Sequence, residues 1–273
     1  MPVIINSLIS SALIVLLMYL DRYEKESVVT MVKVFFLSII VTGLYTSTLH
    51  FFPVPESFGG VVLIAPFREE LLKFGLFVIV WKIWKKELNE SFDAIMYMGM
   101  IALGFAFYEN IAYYLLATTP GAIIAYRTSD FTLYQQSFYQ IFLARLLPAH
   151  LLFDMIAITL LGTKLGKPRA ALYLIPAFLV AFLLHGLWNF LAAMDFVFSA
   201  YAVMLFIVSV LCVRKLLKIS VFRHEDEFGD EEVIPVNSPY DWSYYVLAYI
   251  FIIIVGCLGV FVSYILSSVV GKF

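Results

Sequence analysis

The chain has 273 residues, of which 63% are hydrophobic, 17% aromatic and only 14% charged, with a formal net charge of -2. A water-soluble domain carries roughly 25% charged residues, so this chain has too little polar surface to cover itself in water and reads as an integral membrane protein. No basic aromatic-laced patch supports a nucleic-acid partner, and none is expected; Cys212 and Cys257 sit in apolar runs without zinc-ligand spacing.

A membrane-crossing helix needs about 20 apolar residues. In chain order the candidates are 3–20, 29–52, 61–83, 92–117, 136–162, 170–194, 196–217 and 243–270. The first has no basic residue before it and no small-x-small cleavage site, so it reads as a retained helix. The expectation is an all-α polytopic bundle of about eight transmembrane helices, forming one transmembrane domain over 1–273. One hydrophilic stretch interrupts it, Ile219 to Asp241, with Glu225, Asp226, Glu227, Asp230, Glu231 and Glu232. It reads as a solvated loop. No repeat of 20–50 residues is visible.

Basic residues orient the bundle. Arg22 and Lys25 lie in the first loop, Lys82, Lys85 and Lys86 in the third, Lys164, Lys167 and Arg169 in the fifth, and Arg214, Lys215, Lys218 and Arg223 in the seventh. The even loops and tails hold only Arg127 and Lys272. The odd loops are therefore expected in the cytoplasm of a bacterial-type plasma membrane and both termini outside it.

Four of these spans carry ionisable groups, which hydrocarbon penalises by at least a few kcal/mol each. They are Arg68-Glu69-Glu70 with Lys73, Phe105-x-x-x-Glu109-Asn110, Arg145 with His150-x-x-x-Asp154, and His185-x-x-x-Asn189. At 1.5 Å per residue, Glu70, Glu109 and His185 lie about 12–13 Å below the outer ends of their helices and His150 about 20 Å. The groups thus converge on one site, reached from the extracytoplasmic side. Glu69 and Glu70 are about 100° apart on a helix. One is expected to pair with a cation such as Lys73, the other to face a water-filled cavity as a general base. Glu109 reads either as a proton-handling group or as a counterion of Arg145 or Lys73. Asp154, one turn from His150, suits an imidazole-orienting carboxylate. His185 and Asn189 suit oxyanion stabilisation. The chain has no H-E-x-x-H, no Gly-Asp step within a span and no Gly-x-Ser-Gly.

Glu69-Glu70-Leu-Leu-Lys73, Gly104-Phe105-Ala-Phe-Tyr-Glu109-Asn110, His150-x-x-x-Asp154 and His185-Gly-Leu-Trp-Asn189 resemble the successive motifs of the PrsW family. These are bacterial polytopic membrane proteases named for cleaving an anti-sigma factor, and they are related to type II CAAX prenyl endopeptidases and bacteriocin-immunity-type proteins. The resemblance covers the core at about 61–194. It implies a glutamate that activates water at Glu69 or Glu70, an oxyanion role for His185 and Asn189, and a second base-like group at Glu109, where the prenyl endopeptidases carry histidine. It also implies a single-span, anti-sigma-factor-like substrate within the lipid bilayer.

The reading is an intramembrane endopeptidase with Glu69, Glu70, Glu109, His150, His185 and Asn189 catalytic. Arg68, Lys73, Phe105, Asn110, Arg145 and Asp154 are in support. A metal-free glutamate mechanism is preferred, with no cofactor. The alternatives are a zinc peptidase with ligands from Glu70, Glu109, His150 and His185, an ion- or proton-coupled transporter, and an inactive binding protein on the same fold.

Overall fold

In the computed structural model the chain is described over residues 9, 12–19, 26–48, 57–117, 149–165, 167, 169–191 and 195–228. The expected last span, most of the acidic stretch, Arg145 and much of the first span lie outside these residues. Six long helices follow one another: α1 (Val28–Thr48), α2 (Ala65–Ile83), α3 (Asp93–Ala117), α4 (Ala149–Gly162), α5 (Leu174–Leu191) and α6 (Asp195–Phe228). A five-residue π-turn, Gly60–Ile64, leads directly into α2, and a 3₁₀ turn, Ala170–Tyr173, leads into α5. Residues 12–19 are also helical. There is no strand among the described residues.

Three of these helices are long and apolar enough to cross a membrane: Val28–Thr48, Asp93–Ala112 and Ala170–Leu191. The α2 sequence instead carries Arg68, Glu69, Glu70 and Lys73 on its way across. Hydroxyl groups within the helices bond the backbone one turn back, as in Thr42 Oγ1 to Ser38 O (2.7 Å) and Thr159 Oγ1 to Met155 O (2.8 Å). An apolar surrounding tolerates a hydroxyl only when it is satisfied internally.

The helix order places α3 at the centre. It packs against α1, α2 and α4, and α4 packs in turn against α5 and α6. The window Asp93–Ala112 is 83% buried, against 28% for Ala170–Leu191. Helix α3 is apolar on every side, the signature of an interior helix. Small residues let neighbours close on it. A Cβ on Gly104 would stand 2.5 Å from Phe35 O of α1, and Ser38 Oγ donates to Ile101 O at 2.7 Å. Close backbone approach of this kind is how membrane helices gain packing energy without a hydrophobic drive between them.

The outer faces invert the soluble pattern. Leu44, Leu71, Ile83, Ile175 and Leu183 are exposed, while Glu70, Lys73, His150, Asp154 and His185 are buried. Leucine and isoleucine are at home against lipid, whereas charges need one another. Helix α6 departs from the sequence expectation. The helix runs on past Ile219 to Phe228, so the first ten residues of the expected loop are helical. Arg, Lys and Glu are good helix formers, and a helix of 34 residues reaches about 51 Å, well beyond a hydrocarbon core of about 30 Å. Polarity marks where the chain leaves lipid, not where the helix stops.

Candidate active site

Glu70 and Lys73 lie on α2, His150 and Asp154 on α4, His185 on α5, and Glu109 in the C-terminal half of α3. These helices bring the four charged segments to one place. Lys73 occupies the middle. Its Nζ donates to Glu70 Oε1 (2.8 Å) and Asp154 Oδ2 (2.7 Å) and lies 3.3 Å from His150 Nδ1. It also sits 5.5 Å over the Phe105 ring. An ammonium only donates, so His150 Nδ1 must accept and His150 Nε2 carries the proton. That N–H points at Glu109 Oε2, 2.9 Å away.

His185 is held from the other side. Its Nδ1 meets Glu70 Oε1 at 2.7 Å, so the carboxylate accepts from Nδ1–H and the lone pair falls on Nε2. Nε2 lies 3.7 Å from Glu69 Oε2. Phe153 stacks on the His185 ring (5.1 Å between centroids, 21°), and the two imidazoles meet edge to face at 4.8 Å. Packing and a carboxylate together lock the ring, the arrangement that orients metal-ligating or catalytic histidines.

The sequence leaves open which glutamate pairs with a cation. Here Glu70 takes Lys73 and is fully buried, while Glu69 keeps 17% of its side-chain exposure. Asp154 is one turn from His150, yet its Oδ2 goes to Lys73, which stands between them. Glu109 reaches His150 and retains 19% exposure. Asn110 is buried beside it, and Phe105 flanks His150 at 4.9 Å. Asn189 does not turn towards the imidazoles. Its Nδ2 donates to Val61 O in the π-turn at 3.0 Å. Arg68 lies one residue before the pair, and Arg145 is outside the described residues.

Three features carry no sequence signal of their own. They are the Phe153 stack, the π-turn and the buried Tyr45 hydroxyl, which has no hydrogen-bond partner among the described residues and lies in the field of Glu69, Arg68 and Glu109.

The donors of Glu69, His150 and His185 lie within 4.8 Å of one another. Two imidazoles and one carboxylate are the His₂Glu set of catalytic zinc. Bonds of about 2.1 Å would hold tetrahedral donors about 3.4 Å apart, so the three need to close by about an ångström. Glu70 Oε2 and Asp154 Oδ1 are buried with no hydrogen-bond donor among the described residues. An excess of carboxylates around one ammonium favours a cation nearby. The residues therefore fit a zinc ion. This set shares His150 and His185 with the ligands expected from the sequence; Glu70 lies on Lys73 and His185, and Glu109 on His150.

A helical bundle with apolar spans whose buried core gathers carboxylates and imidazoles has the residue types of a hydrolytic site within a membrane. The profile of the "PrsW family intramembrane metalloprotease" matches residues 15–213, more than half of the sequence. The chain belongs to the PrsW family and is an intramembrane protease. It is 28% identical to Protease PrsW of Clostridioides difficile (strain 630) over 207 residues, which is 72% of this chain and 79% of that protein. It is likewise 28% identical to Protease PrsW of Geobacillus kaustophilus (strain HTA426) over 187 residues, 63% of this chain and 70% of that protein. No solved structure matches it significantly.

Proposed function

We propose that this protease hydrolyses a peptide bond in a single-span, anti-sigma-factor-like membrane protein of a bacterial plasma membrane, from the extracytoplasmic side. One observation carries the reading. The two carboxylates that keep exposure, Glu69 and Glu109, each lie against an imidazole, while the two that are fully buried, Glu70 and Asp154, are tied to Lys73. The exposed pair can meet water and the buried pair serves as scaffold. Lys82 in the last turn of α2, with Lys85 and Lys86 just past it, supports a site open to the outside.

A zinc ion held by Glu69, His150 and His185 would polarise the scissile carbonyl and acidify the attacking water. Glu109 accepts the proton of that water as its oxygen bonds to the carbonyl carbon. The proton then passes to the departing amine nitrogen as the C–N bond breaks. Holding the ion through His150 would replace one of the two contacts its ring nitrogens make now, with Lys73 at Nδ1 or Glu109 at Nε2. Glu70 holds His185, and Lys73 keeps the Glu70 charge tolerable in the interior. An apolar cavity of about 440 Å³ beside the π-turn, lined by Phe58, Leu63, Leu183 and Phe190 among others, offers surface for the substrate's membrane segment.

The metal-free alternative is supported by His150, both of whose ring nitrogens already have partners, Lys73 and Glu109. There Glu69 itself would take the proton from water. The two are separated by elemental analysis and cleavage of a single-span reporter in proteoliposomes. Stoichiometric zinc, with loss of activity on chelation and return on zinc addition, is expected. Full activity in metal-free protein would leave the glutamate mechanism.

A further inference from the structure

The helix that carries Glu69 and Glu70 is entered through the π-turn Gly60–Ile64. In that turn Ala65 N–H donates to Gly60 O, five residues back. The next donor in the same register would be residue 66, and its acceptor Val61 O. Residue 66 is proline, which has no N–H to give. The Asn189 amide donates to that same carbonyl at 3.0 Å. Gly186, one residue after His185, closes the gap. A Cβ there would stand 2.7 Å from Val62 O, the carbonyl that residue 66 would serve in an α-helical register. His185 Nδ1 to Glu70 Oε1 at 2.7 Å completes the set. Residues 185, 186 and 189, within about one turn of α5, thus meet the π-turn and the first turns of α2.

We propose that Asn189 is a positioning residue: its amide replaces the N–H that Pro66 lacks and so sets the register of α2 against α5. The geometry states why this matters. Closing a π-turn to α register slips the following helix by about one residue, a rotation near 100°. Glu69 and Glu70 are themselves one residue apart. Such a slip would turn Glu70 away from His185 Nδ1 and Lys73 away from Asp154, and bring Glu69 from its partly exposed place towards the buried one. Asn189 acts through α2, without touching the reacting atoms.

For catalysis the inference rests on the hydrolase reading above. For stability it stands alone, and the test separates the two. Asn189→Leu, Pro66→Ala and the double variant of the full chain are purified in detergent, and their thermal midpoints are compared. Cleavage of a single-span reporter is measured in parallel. Asn189→Leu removes the donor at similar volume. It should lower the midpoint and reduce kcat about a hundredfold, with KM within about threefold. Pro66→Ala alone should stay close to the parent. In the double variant the backbone N–H gained at position 66 can take Val61 O, so midpoint and kcat should both recover most of the loss. An oxyanion donor behaves otherwise: kcat falls with the midpoint unchanged, and the added Pro66→Ala change restores nothing. That pattern overturns the proposal. If the parent cleaves no reporter, the protease mechanism is at fault, and recovery of the midpoint in the double variant still decides the positioning role. Should Asn189→Leu fail to fold, a folded double variant supports the proposal and an unfolded one overturns it.

Discussion

Glu70 Oε1 and His185 Nδ1 meet at 2.7 Å although 115 residues separate them in the chain. The same oxygen accepts from Lys73 Nζ at 2.8 Å. One carboxylate oxygen therefore couples the interior ion pair to the His185 imidazole. This links the stability of the bundle to the placement of the site, and the consequences can be measured.

Lys73 is 1% exposed and touches two fully buried carboxylates. Lys73→Met removes their counterion, and breaking a buried pair by one partner costs about 3–5 kcal/mol. Yield and thermal midpoint should fall together. Adding Asp154→Asn, which removes one of the stranded charges, should restore part of the loss. A Lys73→Met protein as stable as the parent would refute the interior ion cluster.

Glu69→Gln and Glu109→Gln keep shape and hydrogen-bonding capacity but cannot take a proton. Each should lower reporter cleavage about a hundredfold or more, with the midpoint close to that of the parent because both side chains are partly exposed. His185→Ala should abolish cleavage as well. Wild-type rates from all three variants would remove the assigned site.

Glycine positions separate packing from local propensity. A Cβ on Gly104 would meet Phe35 O at 2.5 Å and Ser38 Cβ at 2.8 Å, whereas one on Gly75 meets nothing within 4 Å. Gly104→Val should therefore cost about 1–3 kcal/mol through overpacking. Gly75→Ala in the same medium should be neutral or stabilising by up to about 1 kcal/mol. Denaturation in mixed micelles measures both, and equal effects would contradict the close α1–α3 approach.

Orientation is tested with single cysteines at Gly59 and Asn89 in a background lacking Cys212 and Cys257. With Lys82, Lys85 and Lys86 expected on the cytoplasmic side, an impermeant thiol reagent should label intact cells at position 59 and spare position 89. Labelling of position 89 from outside would invert the topology.

Composition alone established a membrane bundle, because desolvation makes so apolar a chain untenable in water. Charges inside apolar runs pointed to residues that the fold brings together, for the same reason: each is too costly to keep without a partner. Those are local properties, legible residue by residue. The span starting near residue 92 and the one ending near 83 follow directly from such runs. Rotation is another matter. Glu69 and Glu70 differ by one position, and which of them meets His185 in the buried interior depends on how α2 is turned against α4 and α5. That turning is set by contacts between distant segments, among them His185 with Glu70 and Gly186 with the π-turn. The direction of Asn189 towards Val61 O, and of Asp154 towards Lys73 and away from His150, was likewise decided by tertiary packing. Helical periodicity says which residues share a face. Only the assembled bundle says what that face meets.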